Sequence, residues 1–365
     1  KVNHNFNKAN QNYIIDLDLA ENIFLEVINF QTDSKKISNI KVEHSLKNKK
    51  FTFKTIDFTE GKNTISVKNL VLNKKKEIEK ISSIKIQTFN KKKENNNFVI
   101  NFGNKISITG DKFDSSNILK LFSNASKSNL FKNFNNEVEV KIKNLITKSK
   151  IPLSNFNLIG SIKNGIFNRI SAKSEFSEGA YLDISLKKNL NNKKILEVYS
   201  DSPQVLLGDL NFFEGIKDGK LLYTSEFDEI SSISNLTIEN FKVIKAPAFA
   251  TLLTLADFGG VTDLLSGKGM TFDVLKITTK ENQNVTTVEE ILALGPSLSL
   301  HMQGYIEKKT GLVSLDGTLV PAKMLNSLVS KIPVVGGILV GDKVGEGVFG
   351  VSFKMKGLPG NIKTT

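Results

Sequence analysis

Apolar and polar residues alternate along much of the chain. Tyr13-Ile14-Ile15-Asp16-Leu17-Asp18-Leu19, Ile23 to Ile28, Phe51 to Phe58, Thr64 to Leu70 and Ile84 to Thr88 each predict a strand. So do Phe98 to Phe102, Lys105 to Thr109, Val138 to Ile142, Phe156 to Ile162, Ile170 to Phe176, Tyr181 to Leu186 and Ile195 to Tyr199. Three further strands are predicted over Leu221 to Phe227, Phe272 to Thr278 and Leu312 to Val320. Glu60-Gly61-Lys62-Asn63, Asn73-Lys74-Lys75-Lys76 and the polar tract Asn90 to Asn97 read as turns between them. Most of these strands are apolar on one side only, as in an open antiparallel sheet with one wet face. A closed barrel has the same alternation, so periodicity leaves groove and barrel both open.

Elsewhere the period lengthens to that of a helix. A short helix is predicted from Asp114 or Ser115, either able to cap it, carrying Ile118, Leu119 and Phe122. Pro203 leads into Val205-Leu206-Leu207, Pro247 into Phe249, Leu252 and Leu253, and Pro321 into Met324, Leu325 and Leu328. Each is followed by glycines and then a strand, a loose threefold motif that suggests helices laid at intervals along a sheet. Ala246 to Leu265 is the longest, about 30 Å if wholly helical, with Phe249, Leu252, Leu253, Ala256, Gly260 and Leu264 as one stripe.

Pro321 suits a first helical turn, where its missing N–H is not needed. Met324, Leu325, Leu328, Val329 and Ile332 then share a face opposite Lys323, Asn326, Ser327, Ser330 and Lys331. Pro333 ends or kinks that helix, and the apolar run Val334 to Val340, with Val335 and Leu339, falls far short of the ~20 residues that span a bilayer. A large side chain withdrawn from water is worth roughly 1.5–3 kcal/mol, so these faces need a sheet, a lipid or a partner.

Composition narrows the chemistry. With 365 residues the chain has room for two or three domains or one continuous β body. Its 25 Phe favour sheet, and the lack of Cys excludes disulfides and zinc fingers. A formal charge of +13 invites a nucleic-acid reading, but the lysines gather in short runs (Lys47, Lys49, Lys50; Lys74 to Lys76; Lys91 to Lys93) between strands. Solvated turns account for them, and attraction to anionic lipid headgroups is the sharper alternative. No zinc-finger spacing, RRM motif or helix-turn-helix is present, and no nucleic-acid partner is expected.

Catalytic signatures are equally lacking. Gly345-x-Gly347-x-x-Gly350 spells a dinucleotide fingerprint but runs into a strand, where that fingerprint needs a helix. Gly336-x-x-x-x-Gly341 is followed by Asp342 where a phosphate-binding Lys belongs. His4, His44 and His301 have no metal-ligand spacing, Asp16 and Asp18 have no acidic counterpart, and no Gly-x-Ser-x-Gly elbow occurs. No enzyme activity, cofactor or metal is expected.

Leu315-x-Gly317-Thr318-x-Val320-Pro321, Leu325-Asn326-Ser327-Leu328, Ile332-Pro333-x-x-Gly336 and Gly345-Glu346-Gly347-x-Phe349 together resemble the C-terminal region of AsmA-like envelope proteins of the YhdP type. Ala246-Pro247-Ala248, Gly267-x-Gly269-x-x-Phe272-Asp273-x-Leu275 and Gly295-Pro296 extend the resemblance over about 240–357, and Gly110-x-x-Phe113-Asp114 and Asp201-Ser202-Pro203 carry a looser one back to about 106. Beyond Gly357 such proteins usually carry another strand, whereas this chain stops at Thr365. The family is related in kind to bridge-like lipid transfer proteins. The resemblance implies a long, folded-over sheet whose apolar interior passes acyl chains between membranes. It also implies a periplasmic location, with an anchor in the inner membrane upstream of Lys1.

The expected fold is therefore mainly β: an elongated, twisted antiparallel sheet folded into an open groove, with short amphipathic helices toward the C-terminus. Residues 1–105 would form a run of repeating strands, 106–240 its continuation with helical insertions, and 241–365 the AsmA-like region. The expected function is non-enzymatic phospholipid transport across the periplasm between inner and outer membrane. Phe249, Leu252, Leu253, Leu264 and Leu265 in one helix, and Met324, Leu325, Leu328, Val329, Ile332, Val335 and Leu339 in the other, are the candidate contacts to acyl chains or a membrane surface. The alternative is an envelope scaffold whose helices fill its own core and whose edges recruit other envelope proteins; a hydrolase of envelope polymers is a distant third.

Overall fold

The computed structural model describes residues 2–6, 11–47, 50–117, 134–147, 152–176, 179–207, 215–244, 269–321, 350–358 and 360–365. The protein is mainly β and forms two compact units, Lys1–Lys187 and Lys188–Thr365. The boundaries expected near 105 and 240 fall within these units.

In the first unit the strands are β1 (Val2–Phe6), β2 (Gln11–Leu19), β3 (Phe24–Leu25), β4 (Phe30–Gln31), β5 (Ser38–Lys47), β6 (Lys50–Glu60), β7 (Asn63–Leu72) and β8 (Ile78–Lys80). They continue with β9 (Ser83–Asn90), β10 (Lys93–Phe102), β11 (Lys105–Asp114), β12 (Glu137–Ile146), β13 (Leu153–Lys163), β14 (Ile166–Phe176) and β15 (Tyr181–Lys188). Pairing runs β1-β2-β5-β6-β7-β9-β10-β11-β12-β13-β14-β15, and among the described residues the first strand of this unit does not close on its last. Every one of these pairs is antiparallel except β11 with β12, where Lys105 faces Glu137 and Asp114 faces Ile146 in parallel register. A parallel pair needs a crossover of about a dozen residues or more, and the chain from 115 to 136 provides it.

Two stretches of this unit differ from expectation. Between Ile23 and Ile28 only Phe24–Leu25 is extended; Glu26–Ile28 forms a 3-10 turn ended by Asn29 in the left-handed region (φ 45°), which directs Ile28 and Phe30 into the core. The tract Asn90 to Asn97 is strand rather than loop: β9 runs to Asn90, Lys91 and Lys92 turn, and β10 begins at Lys93. Its asparagines find partners in the strap of residues 20–37, a tertiary pairing that no local pattern reports. Asp114 closes β11 and its Oδ1 accepts from the backbone N–H and the hydroxyl of Ser116; the helix expected beyond it, with Ile118, Leu119 and Phe122, lies outside the described residues.

In the second unit β16 (Lys194–Ser200) is followed by helix α1 (Pro203–Leu207), then β17 (Ile216–Lys217), β18 (Lys220–Phe227), β19 (Ser232–Val243), β20 (Met270–Glu281) and β21 (Val285–Leu294). β22 (Leu298–Glu307), β23 (Val313–Pro321), β24 (Val351–Leu358) and β25 (Asn361–Thr364) complete it. All the pairs of the run β16-β18-β19-β20-β21-β22-β23-β24-β25 are antiparallel, so a strand does follow Gly357. Pro321 is the last residue of β23, opposite Leu298, and the helix expected after it lies outside the described residues.

One face of this sheet carries a continuous core that includes Leu221, Ile238, Met270, Met302, Leu319 and Met355. Phe241 and Phe272, directly paired, stack with ring centroids 5.3 Å apart where Asn240 takes a left-handed φ of 54°. Gly317 pairs with Phe353, whose ring lies across it: a Cβ there would sit 2.3 Å from the ring. The glycine of the Leu315-x-Gly317 motif is thus the seat of an aromatic ring.

Candidate functional site

Strand register sets three rows of side chains on the inward face of the second unit. Leu221, Ile238 and Leu275 form a buried apolar row; Val198, Tyr223, Leu236 and Ile277 form the next; Ser225, Ser234 and Thr279 form the third. α1 lies over them and brings down Leu206 and Leu207. Together these elements border an open, almost wholly apolar cavity of about 400 Å³ walled by Val198, Leu206, Leu207, Leu221, Leu236 and Ile277, with Tyr223, Ser234 and Thr279 along one margin. Small-molecule sites commonly measure ~300–1,000 Å³ and combine apolar walls with a few placed polar groups.

That margin is uncharged. The Tyr223 hydroxyl donates to Ser234 Oγ at 3.2 Å, and Ser234 Oγ donates to Ser225 Oγ at 2.8 Å. A hydroxyl offers one donor and two acceptor lone pairs, so with their protons given within the chain Tyr223 and Ser234 keep only acceptor lone pairs. Among the described residues neither a carboxylate nor a cation lines the cavity. Such a surface suits an apolar chain, and no nucleophile–base pair stands on it among the described residues.

The sheet of the first unit also has an apolar face, but a less covered one. Ile56, Ile65, Val67 and Ile84 are only half-buried, as are Ile40 and Val42. His44 sits on this face among rings, its centroid 4.9 Å from Tyr13, 5.3 Å from Phe53 and 6.0 Å from Phe51, with Nδ1 buried and lacking a hydrogen bond among the described residues. At one end the face becomes polar and closes. Asn96 Nδ2 donates to Ile28 O and to Thr88 Oγ1, both at 2.8 Å, while Asn96 Oδ1 accepts from Asp114 N at 2.9 Å. Asn90 and Asn95 donate to Asn29 O, and Asn29 Nδ2 donates to Asp114 Oδ2 at 3.0 Å. The strap is tied down by this network, and Phe30, wholly buried, packs edge-on against Phe58.

Comparison with protein-family models, curated proteins and solved structures found no match. The site therefore rests on its own geometry.

All twelve candidate contacts from the sequence, Phe249 to Leu265 and Met324 to Leu339, lie outside the described residues. Of the other residues considered, Asp16 and Asp18 share one cross-strand partner, Asn39, whose Nδ2 donates to both at 2.7 and 2.9 Å. His301 Nε2 stands 3.7 Å from a Glu290 oxygen. No group of three metal-ligating side chains forms among the described residues, and no helix there is long and apolar enough to cross a membrane.

Sequence reasoning reached part of the cavity. Pro203-x-Val205-Leu206-Leu207 stood out as helical, and Val198, Tyr223 and Ile277 lie on expected strands. β19, which supplies Ser234 and Leu236, has no clear alternation because each side mixes polar and apolar residues: Ser232, Ser234, Leu236 and Ile238 on one, Ile233, Asn235, Thr237 and Glu239 on the other.

Proposed function

We propose that the chain is a non-enzymatic lipid carrier of the cell envelope, whose apolar sheet faces shield phospholipid acyl chains on their way across the periplasm between inner and outer membrane. The observation that supports this reading most is the open cavity under α1, whose walls on Leu221, Leu236 and Ile277 are almost wholly hydrocarbon and carry no charge among the described residues. Moving a tail through water exposes about 0.8 kcal/mol per CH₂, over ~10 kcal/mol for a long chain, so a carrier needs such walls. The tail of the lipid would lie against Leu221, Leu236 and Ile277. The half-buried face around Ile56, Ile65 and Ile84 offers a second stretch of the same character. The resemblance to AsmA-like proteins, residue by residue as given above, points the same way and brings the periplasmic location with it.

A scaffold reading has its own support, since Ile238, Met302 and Leu319 on the same sheet are buried by the protein itself. One experiment separates the two. A photo-crosslinking amino acid at Leu236, with exposed Leu222 on the opposite face as control, is expected to give phospholipid adducts at Leu236 alone, identified by mass spectrometry. Equal labelling at both, or none with lipid-free protein recovered from cells, would favour the scaffold.

A further inference from the structure

The strap of residues 20–37 presents an arrangement that its own packing does not use. Ile28 and Phe30 turn inward, yet Phe24 is 53% exposed, Val27 47% and Ile37 69%. Scattered exposed apolar residues need no explanation, but these three lie within fourteen positions of one another on a segment held by hydrogen bonds from Asn90, Asn95 and Asn96 and by Asp33 N donating to Glu60 Oε1 at 2.7 Å. Their exposure is on a segment tied down at several points, and exposed apolar side chains held this way are available to a partner surface.

The turns at the same end are basic. β5 starts beside the close of β6, and the β6–β7 turn (Gly61, Lys62) neighbours the β9–β10 turn (Lys91, Lys92) because Thr64 pairs with Gln87. Exposed Lys35, Lys62, Lys91, Lys92 and Lys93 therefore share the strap's end of the sheet. Of the nearby carboxylates, Asp33 is engaged by Lys36 and by the amide of Lys35, and Glu60 is buried and bonded to Asn63; Glu21 and Glu26 lie on the strap itself.

Lys91 and Lys92 both sit at positive φ, 47° and 70°. A two-residue hairpin turn of that shape favours Asn-Gly, and side-chain-bearing residues there carry strain. The turn thus holds two lysines where a better turn former would serve folding.

We propose that this end of the first unit docks on an anionic bilayer surface, with Phe24, Val27 and Ile37 entering the headgroup region and Lys35, Lys62, Lys91, Lys92 and Lys93 meeting lipid phosphates. Apolar side chains ringed by lysines are the chemistry by which a peripheral protein holds such a surface. A nucleic acid would use the lysines but has no use for the three apolar groups. The inference does not depend on acyl chains entering the second unit.

The test is flotation of the whole chain with vesicles of phosphatidylcholine containing phosphatidylglycerol, against phosphatidylcholine alone. Binding is expected only to the anionic vesicles and to weaken with salt. The pair Lys91→Asn with Lys92→Gly is expected to cut binding about 25-fold, at roughly fivefold per lysine, while raising the melting temperature because the turn is relieved. Phe24→Ser with Ile37→Ser is expected to cut it more than tenfold with the melt unchanged. Binding that survives both variants, or equal binding to neutral vesicles, overturns the proposal. So does preferred binding to a nucleic acid that Phe24→Ser with Ile37→Ser leaves intact.

Discussion

Both units carry a sheet with one apolar face, and each face gives way to polar residues, but the two polar margins are built differently. In the first unit the margin is amide and carboxylate: Asn29, Asn95, Asn96 and Asp114 satisfy one another, Thr88 and the strap backbone. Each amide has donors and an acceptor in fixed planar geometry, so a saturated set admits one arrangement and leaves no room for a ligand. In the second unit the margin is hydroxyl: Tyr223, Ser225, Ser234 and Thr279 have rotors rather than planes, and a cavity stands beside them. The same change from apolar to polar thus closes one face and opens the other. The chemistry of the polar group decides which.

The largest way to break this contrast is Asn96→Leu. It strands two buried groups, Ile28 O and Asp114 N, at about 1–3 kcal/mol each, while Thr88 Oγ1 loses one donor but keeps its own bond to Asn95 Oδ1. A loss on the order of 4 kcal/mol is expected in urea unfolding, and hydrogen exchange should show the strap amides losing protection first, with β19 and β20 of the second unit unchanged. If the strap keeps its protection, the network is not what holds it.

A milder change sharpens the comparison. Ser234→Ala removes the middle of the hydroxyl chain, yet leaves only Ser225 short of a donor, since Tyr223 borders the cavity. A cost of about 1 kcal/mol is expected, a fraction of that at Asn96. In the lipid reading the same change also lowers retention of crosslinked phospholipid at Leu236. A loss as large as that at Asn96 would mean that both margins are equally structural.

The contrast itself was only half legible in the sequence. Strands β6, β7, β9 and β11 to β14 follow plain alternation, which reports a wet and a dry side whatever the partners are. The margins depend on partners far away. Asn95 and Asn96 read as turn residues because isolated asparagine favours turns; they stand in a strand because Ile28 and Asn29, more than sixty positions earlier, accept their protons. Strand direction was equally hidden: nothing in Lys105 to Asp114 or Glu137 to Ile146 announces a parallel pair, since the choice is made by where the crossover returns the chain. The cavity needed α1, β18, β19 and β20 together, and of these only β19 lacked a local signal.

The smallest expected effect concerns charge on that parallel pair. Glu139 accepts from Lys105 across β11 and β12 and from Lys141 at 2.6 Å, and these two hydrogen bonds, with the positive charge behind them, lower its carboxyl from 4.5 to about 2. A carboxyl depressed in the folded state adds stability that is present above the unfolded value and is lost as pH falls through about 2. An NMR titration should place the Glu139 midpoint near 2, and Lys105→Ala with Lys141→Ala should return it toward 4.5. Because all three groups are solvent-facing, the melting temperature near neutral pH should hardly move. A large fall in stability with the same double substitution would show that the outer face of the first unit contributes as its buried amides do, and the distinction between a polar group that seals and one that merely titrates would fail.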